Sequence, residues 1–208
     1  MRRALASLAV TTLLPGCLAP EAGPRSDISR ATIGSGGVVL TAPRGYCIDP
    51  ASLRRSGGGG GFALLASCES LSGVPGVAVA PALMTVSVLP REAGTPAPVA
   101  ARLAAAVAPA PTDAIGEEDG LAYAHVLEGG AEILPGGDPR HWRGARAMDD
   151  RLVGLAVYAP ADSPLAAGAG RRLLSDLSAG LALRADAATP PPPDRPRGLL
   201  SWLTSGTD

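Results

Sequence analysis

His141-Trp-Arg-Gly-Ala-Arg-Ala-Met148, then Asp149-Asp-Arg151, then Leu152-Val-Gly-Leu-Ala-Val-Tyr158: two extended runs around a short acidic turn, the pattern of a β-hairpin. Immediately afterwards Ser163-Pro164 offers a capping residue and a first-turn proline. The helix expected there places Leu173, Leu174, Leu177 and Leu181 on one face, with Arg171, Arg172 and Asp176 elsewhere. A hairpin followed by an amphipathic helix predicts a sheet covered by that helix.

Working back toward the N-terminus, Leu121-Ala-Tyr-Ala-His-Val-Leu127 is a further strand. Before it, residues 111–120, with Glu117-Glu118-Asp119, read as a loop. Val99 to Val107 is rich in helix formers and stopped by Pro109, so a helix is predicted. Met84 to Leu89 alternates at period two, with Met84, Val86 and Val88 on one face. Phe62 to Cys68 is a buried-strand candidate, and Gly57 to Gly61 reads as a surface loop. That glycine run lacks the Lys-Ser/Thr of a phosphate cradle. Tyr46-Cys47-Ile48 and Val38-Val39-Leu40 are short strands. Between them and Phe62, Asp49-Pro50 opens a helical turn with Asp49 as cap.

Strands, helix, strands and helix, with hairpins and no repeated βαβ unit, predict an α+β fold: one antiparallel β-sheet flanked by helices, spanning 34–187 between flexible N- and C-terminal tails. The closing hairpin and helix, covering the last third of the domain, is weakly similar in element order to the PsbP and Mog1-like domains. That resemblance implies a compact antiparallel sheet serving in binding or assembly.

Composition narrows function by exclusion. All 18 basic residues are arginine, with no Lys, Asn or Gln. This points to coding bias rather than to a physical need for guanidinium. Removing residues 1–16 takes away two arginines and leaves 16 against 19 acids, a balance of −3. No nucleic-acid footprint or polybasic membrane patch follows from that balance. Aromatics make up only 3% of the chain, so the core has to be built from Ala, Val and Leu.

At the N-terminus, Arg2 and Arg3 precede an apolar run from Ala4 to Leu14, too short to cross the ~30 Å hydrocarbon core. It reads as an export signal over residues 1–16. Leu14-Pro15-Gly16-Cys17 resembles the lipobox of bacterial lipoproteins, with Gly16 before the cut and Cys17 as the lipidated thiol. The resemblance implies a cell-envelope protein held to the membrane through lipid on Cys17. Leu18, rather than Asp, follows the cysteine, which by the same resemblance implies the outer membrane facing the periplasm. Residues 17–33 then read as a tether. Cys47 and Cys68 remain as an even pair in an oxidising compartment, most simply a disulfide closing a loop of about 21 residues.

No nucleophile elbow, zinc-ligand spacing or Walker motif occurs, so no catalytic residue, metal or cofactor is assigned. Tyr123, His141 and Arg143 are the candidate ligand-binding set. His125 and His141 are candidates to meet across the sheet, with Asp149 or Asp150 nearby. Arg143 and Arg146, three apart, point to opposite faces of a strand, one toward an anionic ligand and the other toward a cross-strand acid. Trp142 is a core or sheet-face anchor. Beyond the polyproline run at 190–193, within a linker and tail covering 188–208, Leu199, Leu200, Trp202 and Leu203 form an apolar cluster at helical spacing. It reads as a tail that docks on a partner or grazes the membrane, or as one folded back on its own domain or left disordered. Three functions stay open: a non-enzymatic envelope module contacting a protein partner, a small-ligand-binding domain, and a hydrolase using His125 or His141 with an acid.

Overall fold

The computed structural model describes residues 28–35 and 37–184. Cys17, the export signal and the Leu199–Leu203 cluster lie outside the described residues. In chain order the strands are β1 (Arg30–Ile33), β2 (Val38–Thr41), β3 (Tyr46–Ile48), β4 (Arg54–Arg55), β5 (Gly61–Ser67) and β6 (Leu83–Pro90). They continue as β7 (Thr112–Glu118), β8 (Leu121–Val126), β9 (His141–Met148), β10 (Arg151–Tyr158) and β11 (Leu181–Leu183). The helices are α1 (Cys68–Ser72), α2 (Ala100–Val107), α3 (Gly130–Ile133) and α4 (Gly168–Ala179). The α+β expectation is met.

The main sheet is antiparallel throughout, in the order β3-β5-β6-β10-β9-β8-β7, with β4 added beside β5. Period two sorts its residues onto two faces. On the first face, Val86 and Val88 of β6, Val153, Leu155 and Val157 of β10 and Trp142 of β9 are buried. Helix α4 covers β8, β9 and β10 on this face, laying down Leu173, Leu174 and Leu177. The small sheet β1-β2-β11 adds Ile33, Val38, Leu40 and Leu181 to the same core. Close approach is enforced at Gly170, where a Cβ would lie 2.6 Å from the Trp142 ring. The second face carries α2, which packs over β7 and β8.

The expected hairpin is β9 and β10, with Asp149 in the turn at φ 47°. Asp49 caps its turn by accepting from the Ala51 N–H at 3.0 Å, and Ser163 does the same for Leu165 at 3.3 Å. Several expectations need correction. Residues 28–33 are not tether, because Ile28 bridges Ile48 and Arg30–Ile33 pairs with β2. Residues 112–118 are an edge strand, not loop; only one edge pairs, so the side chains stay wet and show no apolar alternation. Leu181 is not on the helix: α4 ends at Ala179 and Gly180, and Leu181 pairs with Leu40. The glycine run is not a free loop throughout. Gly61 opens β5, and a Cβ there would sit 2.6 Å from Gly34 Cα.

Cys47 lies beside Ala66 in the β3–β5 pairing, and it is joined to Cys68 by a disulfide, as expected. Cys68 itself begins α1 rather than ending the strand. The sequence separation is 21 residues, and closing such a loop in the unfolded chain is worth roughly 3 kcal/mol. Reduction, or Cys47→Ala, should therefore lower the thermal midpoint by about 6–12 °C for a domain of this size. Thermal melts with and without reductant check this, and the Cys47→Ala protein should no longer respond to reductant.

Candidate functional site

Strands β8, β9 and β10 place the two histidines on opposite faces, so they do not meet. His125 is opposite Trp142 in the β8–β9 register, and Val126 is opposite His141. His125, Tyr123 and Trp142 therefore share the first face, whereas His141 and Arg143 belong to the second. Tyr123 does not join His141 and Arg143. Its ring lies 6.1 Å from that of Trp142, and the Arg171 guanidinium stands 5.5 Å over it. Asp149 and Asp150 are at the far tip of the hairpin, roughly 25 Å of strand from His141. Asp150 pairs with Arg151 instead.

His125 is consumed by structure. A β-bulge between Thr112 and Ala114 leaves Asp113 as the extra residue of β7, where its exposed carboxylate reaches His125. His125 Nδ1 lies 2.6 Å from Asp113 Oδ1 and Nε2 lies 2.8 Å from the Ala166 carbonyl oxygen, so both ring nitrogens are engaged. It stacks on Trp142 at 4.4 Å, and the Trp142 Nε1–H donates to the Ala167 carbonyl at 2.8 Å. Together the two rings pin the turn before α4 onto the sheet. No ring nitrogen is left for proton transfer, and no hydroxyl is hydrogen-bonded to His125 among the described residues.

The acidic run 117–119 is split by the same alternation. Glu117 accepts from the Ala100 N–H at 3.0 Å and so caps α2 from the edge strand. Glu118 faces the other way and accepts from Arg171 at 2.7 Å. Asp119 occupies the turn at φ 50°. Arg143 and Arg146 do diverge, but Arg146 meets no acid. It donates to the Ser178 carbonyl and hydroxyl at 3.3 Å, at the C-terminal end of α4.

On the second face a pocket of about 290 Å³ opens at the C-terminal end of α2. Val107, Val126 and Ile133 give it apolar walls, and His141, Arg143 and Tyr158 converge from the sheet. Arg143 donates to the Tyr158 hydroxyl at 3.1 Å, and the His141 ring stacks on that of Tyr158 at 5.0 Å. Arg143 has no carboxylate partner among the described residues. Glu128 stands at the mouth. Tyr158, not Tyr123, completes the predicted set. Parity along each strand was readable, but which tyrosine aligns with His141 depends on pairing between strands.

Just before His141 in the chain, a buried carboxylate pairs with a partly exposed arginine. Asp138, 5% exposed, accepts from the Arg140 Nε–H at 2.9 Å, from its terminal nitrogen at 2.8 Å and from its backbone N–H at 3.0 Å. These hydrogen bonds hold the Asp138 carboxyl at about 2, below the ordinary 3.8. Burial pushes the His141 imidazole below its usual 6.5, and the charges of Arg143 and His125 push the same way.

Comparison of the chain with family models, with curated proteins and with solved structures finds no match.

Two predictions follow from these groups. The unfolded chain protonates His141 more readily than the native protein, so stability falls as the pH drops below about 6.5. A second loss follows as the pH falls from 3.8 toward about 2, where Asp138 gives up its charge. Denaturant midpoints measured against pH should show both steps, and Asp138→Asn should remove the lower one. Separately, His125→Phe keeps the stack but strands the Ala166 carbonyl, which should cost about 1–3 kcal/mol in chemical denaturation.

Proposed function

We propose that this chain is a lipid-anchored, non-enzymatic binding module of the cell envelope, whose domain takes a small monocarboxylate in the pocket beneath α2. The observation that carries the reading is Arg143: a half-buried guanidinium that donates to the Tyr158 hydroxyl and has no carboxylate partner among the described residues, set in a pocket with both polar and apolar walls. A converging Tyr, His and Arg in a cavity of this kind fits ligand binding better than a flat contact face. A planar fork of donors suits a carboxylate. The walls of Val107, Val126 and Ile133 suit a short aliphatic tail, and Glu128 at the mouth disfavours a polyanion. A hydrolase reading finds less support, since His125 has both nitrogens engaged.

The export signal, Cys17 as lipid acceptor and the outer-membrane address belong to the same proposal. The Cys47–Cys68 disulfide supports it, because such bonds persist in oxidising compartments. Two or more acyl chains would make the anchor stable, where one gives only marginal binding. Partners are then the membrane, through that lipid, and an envelope protein or the ligand itself.

Cys17→Ser should move the protein from the membrane to the soluble fraction; unchanged fractionation would remove the anchor from this reading. For the pocket, isothermal titration with butyrate and valerate should show binding, while inorganic phosphate binds more weakly. Arg143→Ala should lose about tenfold or more, as expected for removing a charged hydrogen-bond partner. Bound carboxylate favours the charged imidazole, so affinity should rise as the pH falls from 7.5 toward 6. Glu128, Arg143 and Tyr158 share the pocket with His141, and the His125 charge acts on it as well, so His141→Phe is the control that should flatten this slope. Butyrate binding that is unaffected by Arg143→Ala would falsify the site.

A further inference from the structure

A second cavity, of about 390 Å³, lies on the other side of α2, between the helix, the segment following β6 and the sheet. Leu103, Ala145 and Leu152 form its floor and Pro96 and Pro98 its wall, so it is almost wholly apolar. Leu89 and Val99, 51% and 40% exposed, are neighbours in the chain of its lining residues Pro90 and Pro98. Arg91, which also lines it, holds a buried Nε–H with no hydrogen-bond acceptor among the described residues. Its two terminal nitrogens already donate to the Asp149 and Thr95 carbonyls, so the groove offers an occupant an apolar lining more than a free polar group.

We propose that this groove is the docking site of the chain's own segment Leu199–Leu203, with the Trp202 indole and a neighbouring leucine filling it. Position favours that occupant over others. Arg184, the last described residue, donates its N–H to the Gly37 carbonyl at 3.0 Å. A Cβ on Gly37 would lie 3.8 Å from Arg151 Nε, and Arg151 is opposite Pro90 at the edge of the groove. Those steps add up to about 20 Å at most, given one hydrogen bond, one arginine side chain and one inter-strand spacing. A coil of 14 residues, the number between Arg184 and Leu199, spans about 20 Å root-mean-square. A segment tethered this closely sits at an effective concentration on the order of millimolar, enough to fill a weak site. In the sequence Leu199 and Trp202, and Leu200 and Leu203, are spaced three apart. A partner in the envelope would then have to displace the tail before using this groove.

The test uses the full chain in neutral detergent. The emission of Trp202 is obtained by subtracting the spectrum of the Trp202→Phe protein, which removes the Trp142 contribution. Docking predicts a Trp202 component that is blue-shifted and quenched several-fold less by iodide than free indole. Leu103→Glu should return it to full exposure. Ala145→Leu, which fills the floor without adding charge, should do the same, with circular dichroism and Trp142 emission confirming the fold of both variants. A Trp202 already quenched like free indole overturns the proposal. So does shielding that both variants leave intact, which would place the indole in the micelle or elsewhere on the domain. Shielding lost on dilution assigns the groove to a second copy and likewise overturns it.

Discussion

Strand β10 is paired along its full length with β6 and over all but its last residue with β9, and this double pairing determines what every neighbouring side chain can reach. Its odd positions, Val153, Leu155 and Val157, enter the core beneath α4. Its even positions face the other way, so Leu152 lines one cavity together with Ala145, and Tyr158 lines the other with His141 and Arg143. Because side chains alternate, a one-residue slip would exchange the two sets. It would take Val153, Leu155 and Val157 off the face beneath α4 and put Leu152, Gly154, Ala156 and Tyr158 in their place. The register is therefore fixed by the core on one face, and the site on the other face inherits it.

The two faces are filled unequally, and composition explains why. The first face receives α4, the small sheet and Trp142, which together seal it. The second receives only α2, whose sequence is Ala-Ala-Arg-Leu-Ala-Ala-Ala-Val, resting over Ala122 and Ala124 of β8. Alanine on alanine lets helix and sheet approach closely but supplies no bulk to fill the margins. With aromatics at 3%, the chain has little else to place there. Both cavities lie along the margins of this helix, and Ala106 contributes to each. Glu117, donated from the edge strand, fixes the N-terminal end of α2 by capping it.

What the sequence disclosed follows the strength of its periodic signals. The β9–β10 hairpin, the β6 alternation, α2 and the leucine face of α4 all carry a pattern that one element alone can state. The edge strand β7 does not: Thr-Asp-Ala-Ile-Gly-Glu-Glu is exposed at nearly every position, so nothing apolar recurs. Leu181 imitated a helical position because it stands four residues after Leu177, although Gly180 had already closed the helix. For the site, His141 and Arg143 were legible as a same-face pair within one strand. Tyr158 was not, because its nearness to them exists only through pairing with β10. Asp113 was hidden more deeply still, since only a bulge brings it to His125.

Since every basic residue in this chain is arginine, residue identity alone says little and placement has to carry the argument. Three of the described arginines pair with carboxylates: Arg140 with Asp138, Arg151 with Asp150 and Arg171 with Glu118. Arg146 serves the negative end of α4, where a cation is favoured. Each of these has a structural purpose that its neighbours complete. Arg143 is set among apolar walls with a phenol hydroxyl and a histidine that burial keeps toward its neutral form. Burying a cation without a counterion is costly, and among the described residues no carboxylate forms a salt bridge with this half-buried one. The histidines repeat the contrast: His125 has firm partners at both nitrogens, whereas His141 has only a long 3.5 Å approach to the Pro139 carbonyl. On one face of the sheet the polar groups complete one another, and on the other they are left with capacity that only something entering the cavity can use.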